Sequence, residues 1–162
     1  MIGGYLVGDA EVVQRLDGMG TRLRDEMKAG IGRATLKLQR MVVQNKLSGQ
    51  VLKVRTGTLR RSIDQVVLDE GTKVSGIVSS NVKYARPHEY GFHGAVTVKE
   101  SLRTIRQAFG RPIDPVQISV RSHTRKVDLP ERSFLRSALA DLERSGAIRV
   151  EMEAAVKRAA EG

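Results

Sequence analysis

The segment His88-Glu89-Tyr90-Gly91-Phe92-His93 is the strongest candidate for catalytic chemistry, because it is similar to the HExxH motif of zinc hydrolases. In that motif two histidines lie four residues apart on one face of a helix, with the glutamate as general base. Here the histidines are five residues apart, and Pro87 and Gly91 argue against a helix. The remaining histidine, His123, is distant in sequence. We therefore expect no metal site, and we expect Glu89 to accept hydrogen bonds in a tight turn.

Other catalytic patterns fail on their context. The segment Gly30-Ile31-Gly32-Arg33-Ala34 begins like a phosphate-binding loop, but no strand precedes it and no Gly-Lys-Ser/Thr follows. The chain has no cysteine, which excludes disulfides, thiolate catalysis and cysteine-based metal sites. It also has no Gly-x-Ser-x-Gly nucleophile elbow. We expect a protein that is not an enzyme and that needs no cofactor.

The segment Arg55–Ile63 (RTGTLRRSI) can be interpreted in two ways. As a helical corner leading into a strand, it would be capped by Thr56 or Thr58, with Leu59 and Ile63 facing inward. As a binding site, its outward-facing arginines would clamp a phosphate or a carboxylate. The first interpretation is favoured, because exposed arginine pairs usually form a solvated face.

Basic residues in two other stretches could bind a partner. Seven lie in a predicted arm and would contact either phosphates or acidic residues of a neighbouring subunit: Lys99, Arg103, Arg106, Arg111, Arg121, Arg125 and Lys126. A second set, facing a partner or DNA, comprises Arg33, Lys37, Arg40, Arg60 and Arg61.

Composition sets the limits for the elements that must position these residues. The chain has 162 residues, with 28 Lys and Arg against 18 Asp and Glu, and the formal net charge is +10. We expect a single domain over 1–162, and an aliphatic core, since there is no Trp and only three Tyr and three Phe. No apolar run is long enough for a membrane span, and the first residues do not resemble a signal peptide. The expected location is therefore the cytoplasm.

Helical periodicity predicts a short helix over 10–17, capped by Asp9 and broken at Gly18-Met19-Gly20, and then a long helix from Thr21 to about Ser48. Gly30 and Gly32 weaken that helix and indicate a kink or a close packing contact. Alternating residues predict a hairpin from 63–68 and 73–80, followed by an extended stretch over 82–84.

Residues 94–129 are predicted to form a long, projecting β-hairpin arm, although Leu102, Ile105 and Phe109 also fit a helical turn. A polar, basic arm buries little against its own domain, so we expect it to pack on another subunit. Asp128–Glu131 has the spacing of a capping box for a C-terminal helix. Two helices follow, with a buried face of Phe134, Leu135, Ala138, Leu139 and Leu142, then Ile148, Met152, Ala155 and Ala159. The predicted fold class is α+β.

Three segments in order give the chain a family resemblance: RTGTLRRSI (55–63), YARPHEYG (84–91) and PERSFLRSAL (130–139). Together they resemble the tailed-phage HK97 gp10-like family, which is related to the Mu-type virion morphogenesis proteins. The turn over 107–112 also fits members that carry the long insertion. The matching motif positions, interpreted mostly as fold determinants, are Gly57, Leu59, Ser62, Ile63, Tyr84, Glu89, Gly91, Pro130, Phe134 and Leu135.

The resemblance implies a structural virion protein of the head–tail junction: a neck, tail-completion or tail-terminator component. Such a protein forms a homo-oligomeric ring, with sixfold symmetry expected, and contacts the neighbouring connector and tail-tube proteins. The basic excess of the chain would either line a lumen through which DNA passes or face an acidic partner ring. The alternatives from other classes are a free basic nucleic-acid-binding protein and an assembly factor that is absent from the virion.

Overall fold

The computed structural model describes residues 10–71 and 73–161, with the side chains of the first helix described from residue 20 onward. The helices are α1 (Ala10–Gln44), α2 (Thr58–Arg61), α3 (Ala85–Tyr90), α4 (Leu135–Arg144) and α5 (Ala147–Glu161), with a 3-10 turn at Lys46–Ser48. The strands are β1 (Ile63–Asp69), β2 (Val74–Ser80), β3 (Phe92–Val98), β4 (Ser101–Ala108), β5 (Arg111–Val120) and β6 (His123–Leu129). The predicted α+β class, with a long N-terminal helix and C-terminal helices, is confirmed.

Helix α1 runs without interruption, so the predicted break at Gly18-Met19-Gly20 is wrong. Each glycine costs only about 1 kcal/mol relative to alanine, which a long cooperative helix absorbs. The predicted cap, Asp9, lies outside the described residues. Within α1, Gly30 is the close packing contact that the sequence indicated, because α5 crosses directly beside it. No described helix is both long and apolar enough to cross a bilayer.

The chain forms two compact units, of which the first contains the residues up to Ala85 and from Ser133 onward. Its core lies where α1 and the following turn meet α4 and the start of β1. The core residues are Val42, Leu47, Leu52, Ile63, Ala85, Phe134 and Ala138. Helix α1 also packs along α5 and across the β1–β2 hairpin. The core is therefore almost wholly aliphatic, as the composition predicts, with Phe134 as its one aromatic residue.

The β1–β2 hairpin forms where the sequence predicts it. Its strands pair from Ile63 opposite Ser80 to Asp69 opposite Val74. The extended stretch predicted over 82–84 is not a strand. The Ala85 N–H donates to the Val82 carbonyl at 2.9 Å, which makes this segment a turn leading into α3.

Two predictions for the C-terminal helices are wrong. The capping box at Asp128–Glu131 does not form, because β6 continues to Leu129 opposite Phe92 and α4 begins only at Leu135. Leu139 is exposed, since the buried face of α4 follows Ala138 and Leu142 at i, i+4 spacing. The predicted inward residues of α5 hold: Ala155 and Ala159 are buried, and Ile148 and Met152 are partly buried.

The second unit covers Arg86–Arg132 and is a two-stranded antiparallel ribbon. Strand β3 pairs with β6, and β4 pairs with β5, so that the two legs run side by side from Phe92 and Leu129 to the turn after Ala108. The alternative helical turn over 102–109 is therefore wrong. The described strands form three two-stranded antiparallel sheets. The single-domain organisation stays a prediction.

Candidate interaction surfaces

The segment that resembles a zinc motif is divided between two elements. His88 and Glu89 belong to α3, whereas His93 lies in β3. Pro87 does not prevent α3, contrary to expectation, because the missing N–H falls within the first turn, where it has no helical partner. His93 Nδ1 lies 2.6 Å from Asp128 Oδ1 on the opposite strand. No group of three or more His, Asp or Glu suited to a metal exists among residues 10–71 and 73–161.

The ribbon has one aliphatic face and one polar face along its outer half. Cross-strand partners share a face, so the pairs Ile105–Val116, Arg103–Ile118 and Ser101–Val120 lie on the same side. The opposite side carries Thr104–Gln117 and Leu102–Ser119. Val116 remains 49% exposed, although it stands directly opposite Ile105. The aliphatic face is therefore only partly covered by the ribbon itself.

In the inner half of the ribbon, apolar and cationic side chains share each face. Val96 faces Arg125 and Val98 faces His123, while Ala95 faces Lys126 on the other side. All seven arm cations named from the sequence are exposed. Within the described part of the chain, none of the seven has a carboxylate at salt-bridge distance. The ribbon thus presents apolar groups and uncompensated positive charge together.

The tip of the ribbon exposes an aromatic residue that sequence reasoning did not single out as a site. Phe109 has φ 50° and Gly110 has φ 77°, and together they form the two-residue turn between β4 and β5. Turns of this shape favour Asn-Gly, since a bulky residue at positive φ is strained. The Phe109 side chain is fully exposed. The available signal was an aromatic residue directly before a turn glycine.

The predicted basic set on α1 and α2 separates into two groups. Arg33 Nε and Lys37 Nζ donate to Glu151 of α5 at 2.8 and 2.6 Å. These hydrogen bonds, Arg33 first, lower the pKa of Glu151 to about 2. Arg33 and Lys37 therefore share one carboxylate within the chain, which offsets one of their two charges. Arg40, Arg60 and Arg61 have no such partner among the described residues.

A cleft of about 460 Å³, which we call the corner cleft, lies at the segment before β1. It is lined by Val43, Val54, Arg55, Thr56, Gly57, Arg60 and Arg61. Leu59 is partly buried and Ile63 is buried, as predicted, so the cationic side chains take the outer side. Arg55 was within the segment selected from the sequence but was not among the predicted partner residues.

The ten family-motif positions occupy varied environments. Ser62 donates to the Leu59 carbonyl at 2.8 Å, and its hydroxyl lies 2.7 Å from that of Ser80 on β2. Phe134 is completely buried, and Glu89 is 3% exposed. Tyr84 and Pro130 are exposed, Leu135 is partly buried, and Gly91 follows α3. Comparison of the chain with family models, with curated proteins and with solved structures gives no match.

Proposed function

We propose that this chain is a structural subunit of the head–tail junction of a tailed phage. In this role it forms a neck, tail-completion or tail-terminator ring that joins tail to head, and it acts by oligomerisation, not by catalysis. The order of the three sequence motifs gives the proposal its family. The observation that carries it is the ribbon, whose exposed apolar and cationic side chains are typical of a surface that another chain covers.

Three features of the ribbon support burial against another chain. A two-stranded ribbon is marginally stable alone, so an additional covering layer stabilises it. Its aliphatic face leaves Val116 half-exposed, and its tip presents Phe109, a residue type that often anchors interfaces. Its unpaired arginines would orient the contact by pairing with acidic groups of a neighbour. A ring needs heterologous contacts of this kind, in which one surface meets a different surface of the next copy.

The direct test is peptide mass spectrometry of purified phage particles from the host that carries this gene. We expect the protein in low copy number relative to the capsid and tail-tube subunits. Its absence from intact particles would overturn the proposal. That result would favour the second candidate, a free basic nucleic-acid-binding protein or a non-virion assembly factor, which the net charge of +10 supports.

A charge-reversal variant tests the role of the ribbon. Replacement of Arg103, Arg106 and Arg121 by glutamate should block the joining of heads and tails, while circular dichroism of the monomer stays unchanged. The control reverses Arg144, Arg149 and Lys157, which are also exposed and carry the same total charge but lie on α4 and α5, where each pairs with a carboxylate three or four residues away. Infectious particles from the ribbon variant would contradict the assignment of this surface.

A further inference from the structure

The corner cleft is a concave feature with several cationic lining residues. Three of its seven lining residues are arginines, and no aspartate or glutamate lines it. All three guanidinium side chains are exposed. A fourth arginine, Arg40, precedes the lining residue Val43 by three positions on α1 and so lies on the same side of the helix.

Several other cations of the first unit pair with carboxylates, in contrast to the arginines at the cleft. Glu151 pairs with both Arg33 and Lys37, Asp141 holds Lys46 at 2.5 Å, and Asp69 pairs with Arg24. In the described ranges, Arg40, Arg55, Arg60 and Arg61 have no carboxylate within 4 Å. Arg55, Arg60 and Arg61 therefore place positive charge without a carboxylate partner in the lining of one cleft, and Arg40 adds to it from α1.

The local backbone holds part of the cleft in a fixed shape. Gly57 has φ 73°, a conformation that favours glycine, and the Arg61 guanidinium lies over it. Arg61 Nη2 donates to the Thr56 carbonyl at 3.3 Å, and the Thr56 and Thr58 hydroxyl oxygens are 3.0 Å apart. A fixed guanidinium and two hydroxyls thus stand beside the freely extended Arg55 and Arg60. Positioned donors lose less conformational entropy on binding an anion than free side chains do.

The donor set fits phosphate groups repeated along a chain. Guanidinium groups bind phosphate oxygens in a bidentate manner, and four of them spread over an open surface can contact several phosphates. Val43 and Val54 are the apolar residues of the lining, and no aromatic residue lines the cleft to stack a base or a small-molecule ring. The arrangement suits a sequence-independent contact with a nucleic-acid backbone.

We propose that the corner cleft, through Arg55, Arg60, Arg61 and the adjacent Arg40, binds the phosphodiester backbone of double-stranded DNA. This site does not depend on ring formation. The proposed DNA contact is the same whether the chain is a junction subunit or a free protein. Mass spectrometry of particles separately decides which of these two the chain is.

The test measures binding of the full chain to a fluorescent 20-base-pair duplex by anisotropy over a series of salt concentrations. The cleft variant carries Arg55→Gln, Arg60→Gln and Arg61→Gln. The control variant carries Arg144→Gln, Arg149→Gln and Lys157→Gln, which removes the same charge from exposed sites on α4 and α5. A single Arg55→Gln variant, which leaves the hydrogen bond from Arg61 to the Thr56 carbonyl in place, guards against misfolding of the triple variant.

We expect salt-dependent binding by the wild type. Because each neutralised phosphate adds about 0.9 to the slope of log affinity against log salt, the cleft variant should lose about two to three units of slope. Its affinity at about 0.1 M salt should fall at least about 10-fold, that of Arg55→Gln about 3-fold, and that of the control less than about 3-fold. Polyglutamate at equal charge should displace the duplex poorly.

Four results would overturn the proposal. The first is the absence of binding by the wild type, and the second is an equal loss of affinity in the cleft and control variants. The third is unchanged affinity of a folded cleft variant or of Arg55→Gln. The fourth is efficient displacement by polyglutamate, which would assign the cleft to an acidic protein partner instead of DNA.

Discussion

Glu151 on α5 accepts a hydrogen bond of 2.8 Å from Arg33 Nε on α1, between residues 118 positions apart in the sequence. Its other carboxylate oxygen accepts from Lys37 at 2.6 Å. Glu151 is mostly buried, whereas the two cations are about half-exposed. One acidic residue therefore joins the first and last long helices and offsets one of the two positive charges that Arg33 and Lys37 bring to α1.

The stability of the protein should fall in acid through this group. The folded state lowers the pKa of Glu151 from 4.5 to about 2, so its contribution is complete above pH 5 and is lost as the pH falls toward 2. After allowance for solvent screening of Arg33 and Lys37, we expect a contribution of about 1–2 kcal/mol. Urea denaturation of wild type and Glu151→Gln at pH 5.5 and 2.5 measures it.

The free-energy difference between wild type and Glu151→Gln should shrink from pH 5.5 to pH 2.5. The exposed Glu153, which pairs with Arg149 on the same helix, provides the control. Glu153→Gln should change stability by less than about 0.5 kcal/mol at either pH. A constant difference for Glu151→Gln across this range would contradict the assigned coupling.

Two neighbouring glycines of α1 should respond to alanine in opposite ways. A Cβ at Gly30 would lie 2.9 Å from Met152 Cε and 3.3 Å from the Glu151 carbonyl oxygen, which belongs to backbone. A Cβ at Gly32 would meet only Val67 Cγ2 at 3.9 Å. Gly32→Ala should therefore stabilise the protein by about 0.5–1 kcal/mol through helix propensity.

Gly30→Ala gains the same propensity but forces α1 and α5 apart. We expect it to be less stable than Gly32→Ala by about 1–3 kcal/mol, because overpacking offsets the gain. Thermal unfolding of both variants under identical conditions provides the comparison. Equal melting temperatures would show that the helices move apart without cost.

Phe109 should be dispensable for folding and needed for assembly. Phe109→Asn places a residue favoured at positive φ before Gly110 and should stabilise the ribbon by about 0.5–1 kcal/mol. Hydrogen exchange of the β4 and β5 amides in the monomer should therefore slow or stay unchanged. Incorporation of the variant into particles should fall, since the exposed aromatic group is lost. Normal incorporation would show that the tip makes no contact.

Phe134 should be the residue of the first unit that is most sensitive to truncation. It is completely buried beside Val42, so Phe134→Ala should cost about 3–5 kcal/mol. Leu139, on the same segment, is exposed, and Leu139→Ala should cost less than about 1 kcal/mol. Chemical denaturation of the two variants distinguishes them, and similar losses would contradict the assigned inward face of α4.

Local patterns predicted most elements, because the signals that define them are short in range. The β1–β2 hairpin and the paired legs of the ribbon followed from alternation around turn glycines. The end of β6 could not be found this way, since Asp128–Glu131 has a good capping sequence. Pairing of Leu129 with Phe92, 37 positions earlier, overrides that local preference.

The candidate surfaces could be predicted only in part, because contacts between residues distant in sequence also decide which side chains are exposed and unpaired. Arg33 and Lys37 look like Arg40 in the periodic pattern of α1, yet Glu151 pairs only with the first two. Which cation remains available depends on a helix more than a hundred residues further along the chain. The exposure of Phe109 likewise depends on the hairpin turn placing it at the tip.

The base of the ribbon is closed by its own backbone, since the Arg132 N–H donates to the His88 carbonyl at 2.8 Å. The two ends of the segment from 88 to 132 therefore meet at this hydrogen bond. The bond does not depend on how long the ribbon between them is. Removing two residue pairs from the outer half shortens the reach by about 7 Å and keeps the same side chains on the same face. Removing a single pair exchanges the faces beyond the deletion. The reach of the ribbon can thus be adjusted, in steps of two pairs, like the length of a spacer.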